Sequence, residues 1–361
     1  MALRRSSVVI AVAGVILIVT AALIRFVALP SLVKLPEDVN ATAEFEGTLQ
    51  QLDPQTFSLD SGTSISIDRT VTANQVVGDT AVITSTAVSH LPAGEVTDEH
   101  TYAISRVDYT QVPAPAGIRV EDQKGGITLS LPMDPGTSDT TMYDSVTRTA
   151  QPLAYYGSDT LEGRSVHKFS GATTAPIADP SVLEPVKAGI AALAKTGDGT
   201  TLPKAVIQSL VPALPSDRAL AVSAALVSAS DPVPLEFTSI NNVDLAVDTR
   251  FGGPTKIMQD QTTVLNLRSG NTLIPVVDLS RITVATADTS VATITSDLNK
   301  AERQLDLFAI WGPIGLVLVG GLLLLFAFLR RTPRSNANDA TASVPPADPA
   351  DAVPNATVER N

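Results

Sequence analysis

Two long apolar segments, one near each end of the chain, constrain this protein more than any other feature. Ser6–Ile24 is 19 residues long and Leu307–Leu329 is 23 residues long, and neither contains a charged side chain. At about 1.5 Å per residue, helices of these lengths reach about 28 Å and 34 Å, close to the roughly 30 Å hydrocarbon core of a bilayer. The sequence therefore predicts two transmembrane helices, assigned to residues 6–29 and 307–329, with about 280 residues between the apolar segments.

Charged residues beside the apolar segments predict their orientation. Cytoplasmic flanks of membrane helices are enriched in Lys and Arg, and a basic cluster follows the second segment directly. We therefore expect both termini in the cytoplasm, the protein in the plasma membrane and the main domain outside it. Cleavage as a signal peptide near Val19-Thr20-Ala21 is the alternative, but the apolar run exceeds the usual 7–15 residues or so. The predicted membrane-anchoring residues are Arg4, Arg5, Arg25, Trp311, Arg330 and Arg331.

Net charge and composition exclude several classes of function. The formal net charge is −12, and its acidic excess lies within residues 37–329, so nucleic acid is not an expected partner. The chain has no cysteine, which excludes disulfides, thiolate metal sites and a cysteine nucleophile. Membrane lipids, envelope proteins and further copies of the chain remain as candidate partners.

The region between the apolar segments shows the pattern of a β-rich domain, assigned to residues 36–305. Short β-branched runs separated by turn signals predict strands from Thr42 to about Arg119, and strands resume from Pro234 to about Ile294. Residues 181–231 are rich in Ala and Leu at helical spacing and predict a helical insert. The predicted fold class is α+β, with two terminal transmembrane helices flanking a mainly antiparallel β extracytoplasmic domain.

The two ends of the chain are expected to differ. We expect residues 1–5 to form a short cytoplasmic N-terminus, and residues 330–361, rich in Ala, Pro and small polar residues, to form a disordered cytoplasmic tail. Within the predicted spans, small residues allow helices to approach closely. Packing of the spans on each other or on a second copy is therefore assigned to Gly14, Gly312, Gly315 and Gly320.

No constellation of catalytic or cofactor-binding residues is evident. His90 and His100 enclose Glu95, Asp98 and Glu99, which suggests a divalent metal, but the spacing matches no known cage. A polar hairpin with solvated charges is the favoured interpretation. No G-x-S-x-G nucleophile elbow is present in the sequence. We therefore expect a non-enzymatic protein without a cofactor.

The helical insert has two competing interpretations. Its apolar side chains could line a dry groove for an acyl chain, which suits a domain tethered beside lipid. Alternatively, they pack against the sheet as ordinary core. The candidate groove residues are Leu183, Val186, Ile190, Leu193 and Leu210.

Three segments together resemble a known family. The first runs from the first span into the first strands and contains L-x-K-x-P-x-D; the second, residues 142–169, contains E-G-x-x-V-x-x-F; the third is VDLAVDTRFGGPTKI, with Asp248 and a glycine-bearing turn. In order and topology they resemble an actinobacterial envelope family of unknown function named the porin PorA family. The resemblance implies an envelope membrane protein. The word porin implies little more, because a porin barrel has no helical spans.

The combined sequence evidence supports two functional hypotheses. In the first, a membrane-tethered extracytoplasmic domain binds or passes lipid, or scaffolds envelope assembly. In the second, the chain is a porin- or channel-like transport component whose spans assemble around a pore. The second is weaker because neither span carries an internal charge.

Overall fold

The computed structural model describes residues 5–28, 34–194 and 197–330. The chain divides into two compact units, one formed by its terminal segments and the other by Val27–Phe308. The expectations for residues 1–4 and for the tail beyond residue 330 lie outside the described residues.

The terminal unit contains two apolar helices. Helix α1, Arg5–Leu23, continues as a π-helical turn over Ile24–Ala28. Near the other end of the chain, the π-helical turn Leu307–Trp311 precedes helix α6, Gly312–Leu329. Helix α6 ends where the apolar run ends. Its Pro313 lies in the first turn, where the missing backbone N–H costs no helical hydrogen bond.

Among its described residues, the larger unit has twelve β-strands whose pairings are antiparallel, which confirms the mainly antiparallel β domain. Their bounds are β1 Asn40–Asp53, β2 Ser58–Leu59, β3 Thr63–Val77, β4 Thr80–Leu91, β5 Gly94–Ser105, β6 Thr140–Asp144, β7 Thr149–Leu161, β8 Arg164–Pro176, β9 Thr201–Leu202, β10 Val233–Asp248, β11 Pro254–Ser269 and β12 Thr272–Thr286. Ten of them follow the order β5-β4-β3-β1-β12-β11-β10-β8-β7-β6, while β2 pairs with β1 and β9 with β10. Pairing of β1 with β12 therefore joins the two ends of the domain's sequence at the middle of the sheet.

The sheet is strongly curled. Tyr102 on β5 and Tyr143 on β6 stand at opposite ends of the strand order, yet their ring centroids lie 5.9 Å apart. The irregular segment 106–139 hydrogen-bonds to both edge strands: the Val112 N–H donates to the Ala103 carbonyl, and the Tyr143 N–H donates to the Ile127 carbonyl. Both edges are thereby covered, which blocks uncontrolled strand pairing.

In the described part of the chain between β8 and β10 there are three α-helices: α2, Pro180–Ala194; α3, Lys204–Leu210; and α4, Ser216–Ser228. They pack against β10, β11 and β12 in the largest apolar cluster of the domain. Its buried members are Ile177, Ile190, Leu202, Ile207, Leu214, Val222, Leu226, Val233, Phe237, Leu265, Leu267, Val276 and Val277.

The last helix of the domain, α5, spans Asp288–Asp306. The prediction that strands continue to about Ile294 is therefore wrong, because β12 ends at Thr286. The β-branched run that suggested a strand instead places buried Ser290, Val291 and Thr295 on a helix face. Ser290 Oγ accepts a hydrogen bond from the Glu44 N–H at 2.9 Å, so tertiary contacts override local propensity here.

Candidate functional site

The two apolar helices contact each other through a pair of glycines. A Cβ added at Gly14 would lie 2.7 Å from the Gly320 carbonyl oxygen, and one at Gly320 would lie 2.7 Å from the Gly14 oxygen. Gly14 also faces Leu324, whereas Gly320 faces Ile18, so the helices run antiparallel. Of the four predicted packing glycines, Gly14 and Gly320 are thus brought together.

The other two predicted glycines are not seen in this contact. A Cβ at Gly315 would meet no heavy atom within 4 Å among the described residues, so that position faces open space. Gly312 is the first residue of α6.

The surface of the helix pair is apolar and exposed. Leu318, Leu322 and Leu329 on α6 are 62%, 65% and 70% exposed. By length and composition, one helical stretch of the described chain, Asp288–Leu329, is apolar enough to cross a membrane, and a shorter apolar helix covers Ile10–Phe26. A soluble protein rarely exposes an apolar patch of this kind.

Those predicted anchoring residues that the structure describes lie at the ends of these helices. Arg25 is exposed in the turn after α1, and Trp311 is 66% exposed before α6. Arg330 places its guanidinium carbon 4.2 Å from the Phe326 ring centroid. Arg4, Arg331 and the side chain of Arg5 lie outside the described residues.

The proposed lipid-groove residues are distributed over the insert core. Ile190 is buried in the large apolar cluster, and Leu183 and Val186 pack against it. Leu210 is half-buried on α3, and the side chain of Leu193 lies outside the described residues. An open groove of about 290 Å³ beside α3 and α4 is lined by Lys204, Gln208, Val211, Ser223, Leu226 and Val227. Its mixed lining differs from the dry groove expected for an acyl chain.

An ion-pair network with a buried centre, Arg164 and Asp248, holds α5 to the sheet. The Arg164 Nε donates to Asp248 Oδ2 at 2.6 Å, and the two side chains are 5% and 1% exposed. Arg164 Nη1 also donates to Asn299 Oδ1 and to Glu302 Oε2, both at 2.8 Å. Arg250 then pairs with Glu302 and with Asp306 at the end of α5.

Hydrogen bonding keeps these carboxylates ionised. Burial alone would raise the pKa of Asp248, but hydrogen bonds from Arg164 and from the Phe251 and Arg250 N–H groups lower it. Hydrogen bonds from Arg250 and Arg164 lower the pKa of Glu302. The network therefore favours charged partners at neutral pH.

Two of the sequence segments that carry the family resemblance meet in this network. Arg164 follows Glu162-Gly163, and Asp248 opens the turn that contains Gly252. Gly252 has φ +70°, and a Cβ there would lie 2.2 Å from the Leu131 carbonyl oxygen, so the turn requires glycine. The sequence indicated Asp248 and the turn, but nothing local indicated that Arg164 pairs with Asp248 or that Arg164 and Arg250 reach Glu302 on α5.

The three histidines have separate environments. His90 is half-buried at the surface and contacts Asp68 and Glu95, as expected for a polar hairpin. His100 differs from that expectation, because it is buried against Asp98, Glu121 and Asp179. Burial alone would lower the pKa of His100, but hydrogen bonds to Asp98 and Glu121 raise it to about 10. Among the described residues, Asp98, His100 and Asp179 are grouped closely enough to hold a metal ion.

The third histidine, His167, contacts Ser158 through Nδ1 at 2.8 Å and stacks edge-on against Tyr155. It belongs to neither of the two carboxylate clusters described above.

Comparisons with known proteins identify a family. A family model described as Porin PorA matches residues 6–329. No curated protein matches the chain. Together with the apolar helix, the family match indicates a membrane-associated protein.

Likenesses to solved structures are weak. A MaoC-like dehydratase from Phytophthora capsici is 10% identical, with 68% of this chain and 71% of that chain covered and a TM-score of 0.13. An acyl-CoA thioesterase II from Mycobacterium marinum is 12% identical, with 68% and 80% covered and a TM-score of 0.12. The chain covers only 37% of a peroxisomal multifunctional enzyme type 2 from Drosophila melanogaster, at 12% identity, 68% coverage of this chain and a TM-score of 0.12. Such low scores support no inference about fold or activity.

Proposed function

This chain belongs to the Porin PorA family, and on that basis we propose that it is a non-enzymatic scaffold protein of the cell envelope, anchored in the plasma membrane by both terminal helices. The observation that carries the proposal is the antiparallel contact of α1 and α6 through Gly14 and Gly320. In a bilayer, the apolar surface of this helix pair contacts lipid and is no longer exposed unfavourably to water. Close glycine contact is a common way for membrane helices to pack.

The antiparallel arrangement supports a specific topology. If both helices span the bilayer, the start of α1 and the end of α6 lie on the same side. The basic cluster that begins at Arg330 favours the cytoplasm for that side, and the β domain then lies outside the cell.

Cysteine labelling tests this topology directly, because the natural chain has no cysteine. Single cysteines are placed at Ser61, which is exposed in a bend before β3, and at Ser343 beyond the second apolar segment. An impermeant thiol reagent applied to intact cells should label the Ser61 variant and spare the Ser343 variant. Lysed cells should label both, which controls for reactivity. Labelling of Ser343 alone in intact cells would reverse the orientation.

Packing of the insert favours a scaffold over a lipid carrier. Ile190 is buried in the domain core, where its side chain packs against protein neighbours and is not free to line a groove. Lipid handling remains testable by native mass spectrometry of the full chain in detergent. Under the scaffold proposal, collisional activation should remove the annular lipid and leave the mass of the polypeptide alone. A retained stoichiometric acyl lipid would favour the lipid carrier instead.

The alternative of a porin- or channel-like component has its own measurement. Full-length protein reconstituted into planar bilayers should show no discrete conductance under the scaffold proposal, because the described part of α6 carries no ionisable side chain to line a wet path. Reproducible single-channel steps in the wild type, altered by Gly14→Ile or Gly320→Ile, would support the channel and refute the scaffold.

A further inference from the structure

A buried histidine in the β domain is surrounded by carboxylates from three parts of the chain. Asp98 and His100 are two residues apart on β5, so their side chains share one face of the strand. Glu121 belongs to the irregular segment 106–139, and Asp179 immediately precedes α2. His100 is 8% exposed and Asp179 is 3% exposed, so the cluster lies within the domain.

Three of these residues direct ligand atoms toward one point. His100 Nε2 lies 2.8 Å from Asp98 Oδ2 and 3.5 Å from Asp179 Oδ2. The ligand atoms of the three residues all lie within 4.8 Å of one another. Tetrahedral zinc, with ligands at about 2.0–2.2 Å, separates its ligand atoms by about 3.3–3.6 Å. The Asp179 separation already falls in this range, and Asp98 reaches it with a shift of about 0.5 Å.

The remaining contacts orient these ligands. His100 Nδ1 lies 2.6 Å from Glu121 Oε1, and the Tyr143 hydroxyl donates to Glu121 Oε2 at 3.2 Å. Without a metal, Nε2–H donates to Asp98 Oδ2 at 2.8 Å; a bound metal replaces that proton, while the hydrogen bond from Nδ1–H to Glu121 holds the imidazole in place, as is usual for metal-binding histidines. Ser181 Oγ donates to Asp98 Oδ1 at 3.0 Å, and the Ser181 N–H donates to Asp179 Oδ1 at 2.9 Å.

One oxygen in the cluster is unsatisfied. Asp179 Oδ2 is buried, accepts no hydrogen bond, and faces His100 Nε2 at 3.5 Å. A buried carboxylate oxygen without a donor is costly and calls for a missing partner. A cation between Asp98, His100 and Asp179 supplies that partner.

The charges of the site indicate the class of ion. Three carboxylates surround the imidazole, and Arg148 lies 3.7 Å from Asp179 Oδ1. A divalent cation bound to neutral His100, together with Arg148, balances the three carboxylates. Imidazole nitrogen combined with carboxylate oxygen suits zinc and related transition metals, whereas calcium and magnesium prefer ligand sets made of oxygen.

We propose that Asp98, His100 and Asp179 bind a divalent transition-metal ion of the zinc class, with Glu121 orienting the imidazole. The ion joins the edge strand β5 to the start of α2, and a water molecule completes its four ligands. This site is independent of the scaffold role proposed above.

Zinc titration of the full-length protein in detergent tests the site. Any affinity tag is removed first, and zinc chloride competes against a chromophoric chelator. The wild-type protein should bind one zinc per chain. His100→Gln and Asp179→Asn should each weaken zinc binding at least tenfold, and Glu121→Gln, which keeps all three ligands, by about 10–100-fold.

His90→Gln is the matched control, since His90 also contacts two carboxylates but its side chain is 38% exposed, against 9% for His100. It should leave zinc affinity unchanged. Cobalt bound to the wild-type protein should show the visible bands of a tetrahedral site. Absence of saturable zinc binding to wild-type protein overturns the proposal, as does a loss caused by His90→Gln and not by His100→Gln. If His100→Gln does not fold by circular dichroism, Asp179→Asn and Glu121→Gln provide the comparison. If none of the three folds, zinc stoichiometry and the cobalt spectrum of the wild type decide.

Discussion

Replacement of Arg164 by Met should destabilise the β domain, because Arg164 pairs with the buried Asp248 and links it to α5. The substitution removes the hydrogen bonds from Arg164 to Asp248, Asn299 and Glu302, all at 2.6–2.8 Å. Asp248 is then left 1% exposed without its cationic partner. Truncating one member of a buried ion pair typically costs about 3–5 kcal/mol.

The structure places the expected cost near the lower end of that range. Asp248 Oδ1 still accepts hydrogen bonds from the Arg250 and Phe251 N–H groups, and Glu302 still pairs with Arg250. We therefore expect about 3 kcal/mol for Arg164→Met. For a domain of this size, that corresponds to a fall in the unfolding midpoint of about 6–12 °C.

Far-UV circular dichroism of the full chain in detergent measures the midpoint at one fixed scan rate. The matched control is Lys300→Met on the same helix, which breaks an exposed pair with Asp297. Exposed pairs contribute about 0–1 kcal/mol, so this midpoint should fall by no more than about 4 °C. Asp248→Asn and the double variant complete a cycle in which the double variant loses less than the sum of the two singles. Equal midpoints for Arg164→Met and Lys300→Met, or strict additivity in the cycle, would refute the reasoning.

The remaining predictions concern the helix pair, the insert and acid. Gly320→Ile should slow crosslinking between single cysteines placed on α1 and α6, because its side chain meets the Gly14 oxygen, whereas Gly315→Ile should not. Ile190→Ala should cost about 2–5 kcal/mol by chemical unfolding, while Leu220→Ala, at a position 74% exposed, should change stability by no more than about 0.5 kcal/mol. The folded-state pKa values of Asp248 and Glu302 are lowered, so their stabilising contribution is present above about pH 4 and is lost as the pH falls further. The unfolding midpoint of the wild type should therefore fall more steeply than that of Arg164→Met between about pH 5 and pH 3.

Each of these predictions has a clear opposing result. Equal crosslinking in the Gly320 and Gly315 variants would mean that the glycine contact is not used. An Ile190→Ala variant as stable as Leu220→Ala would place the insert outside the core. Parallel acid profiles for wild type and Arg164→Met would remove the network as the source of acid sensitivity.

Much of the β domain was predictable because its signals are local. Alternating β-branched runs and glycine-containing turns indicate strands wherever they occur, and the antiparallel sheet follows. The start of α5 was missed for the same reason, because Val291 and Thr293 favour strands locally. Tertiary contacts, among them the hydrogen bond from the Glu44 N–H to Ser290, favour the helix there.

The candidate metal site shows where sequence reasoning stops. Asp98 and His100 lie two residues apart, a spacing that places them on one face of a strand, and both belong to the group in which the sequence suggested a divalent metal. Glu121 and Asp179 carry no comparable signal, because they reach His100 from a loop and from a helix start far along the chain. His90, which the sequence grouped with His100, contacts a different set of acids.

The sequence by itself determined the apolar character of the two end helices and the β-rich class of the domain between them. Both depend on composition and short-range periodicity, which every residue carries with it. Tertiary structure alone decided that Gly14 meets Gly320, that Arg164 meets Asp248 and α5, and that the insert fills the core. Those contacts join residues far apart in the chain, and their energy depends on burial and geometry that exist only after the chain has folded.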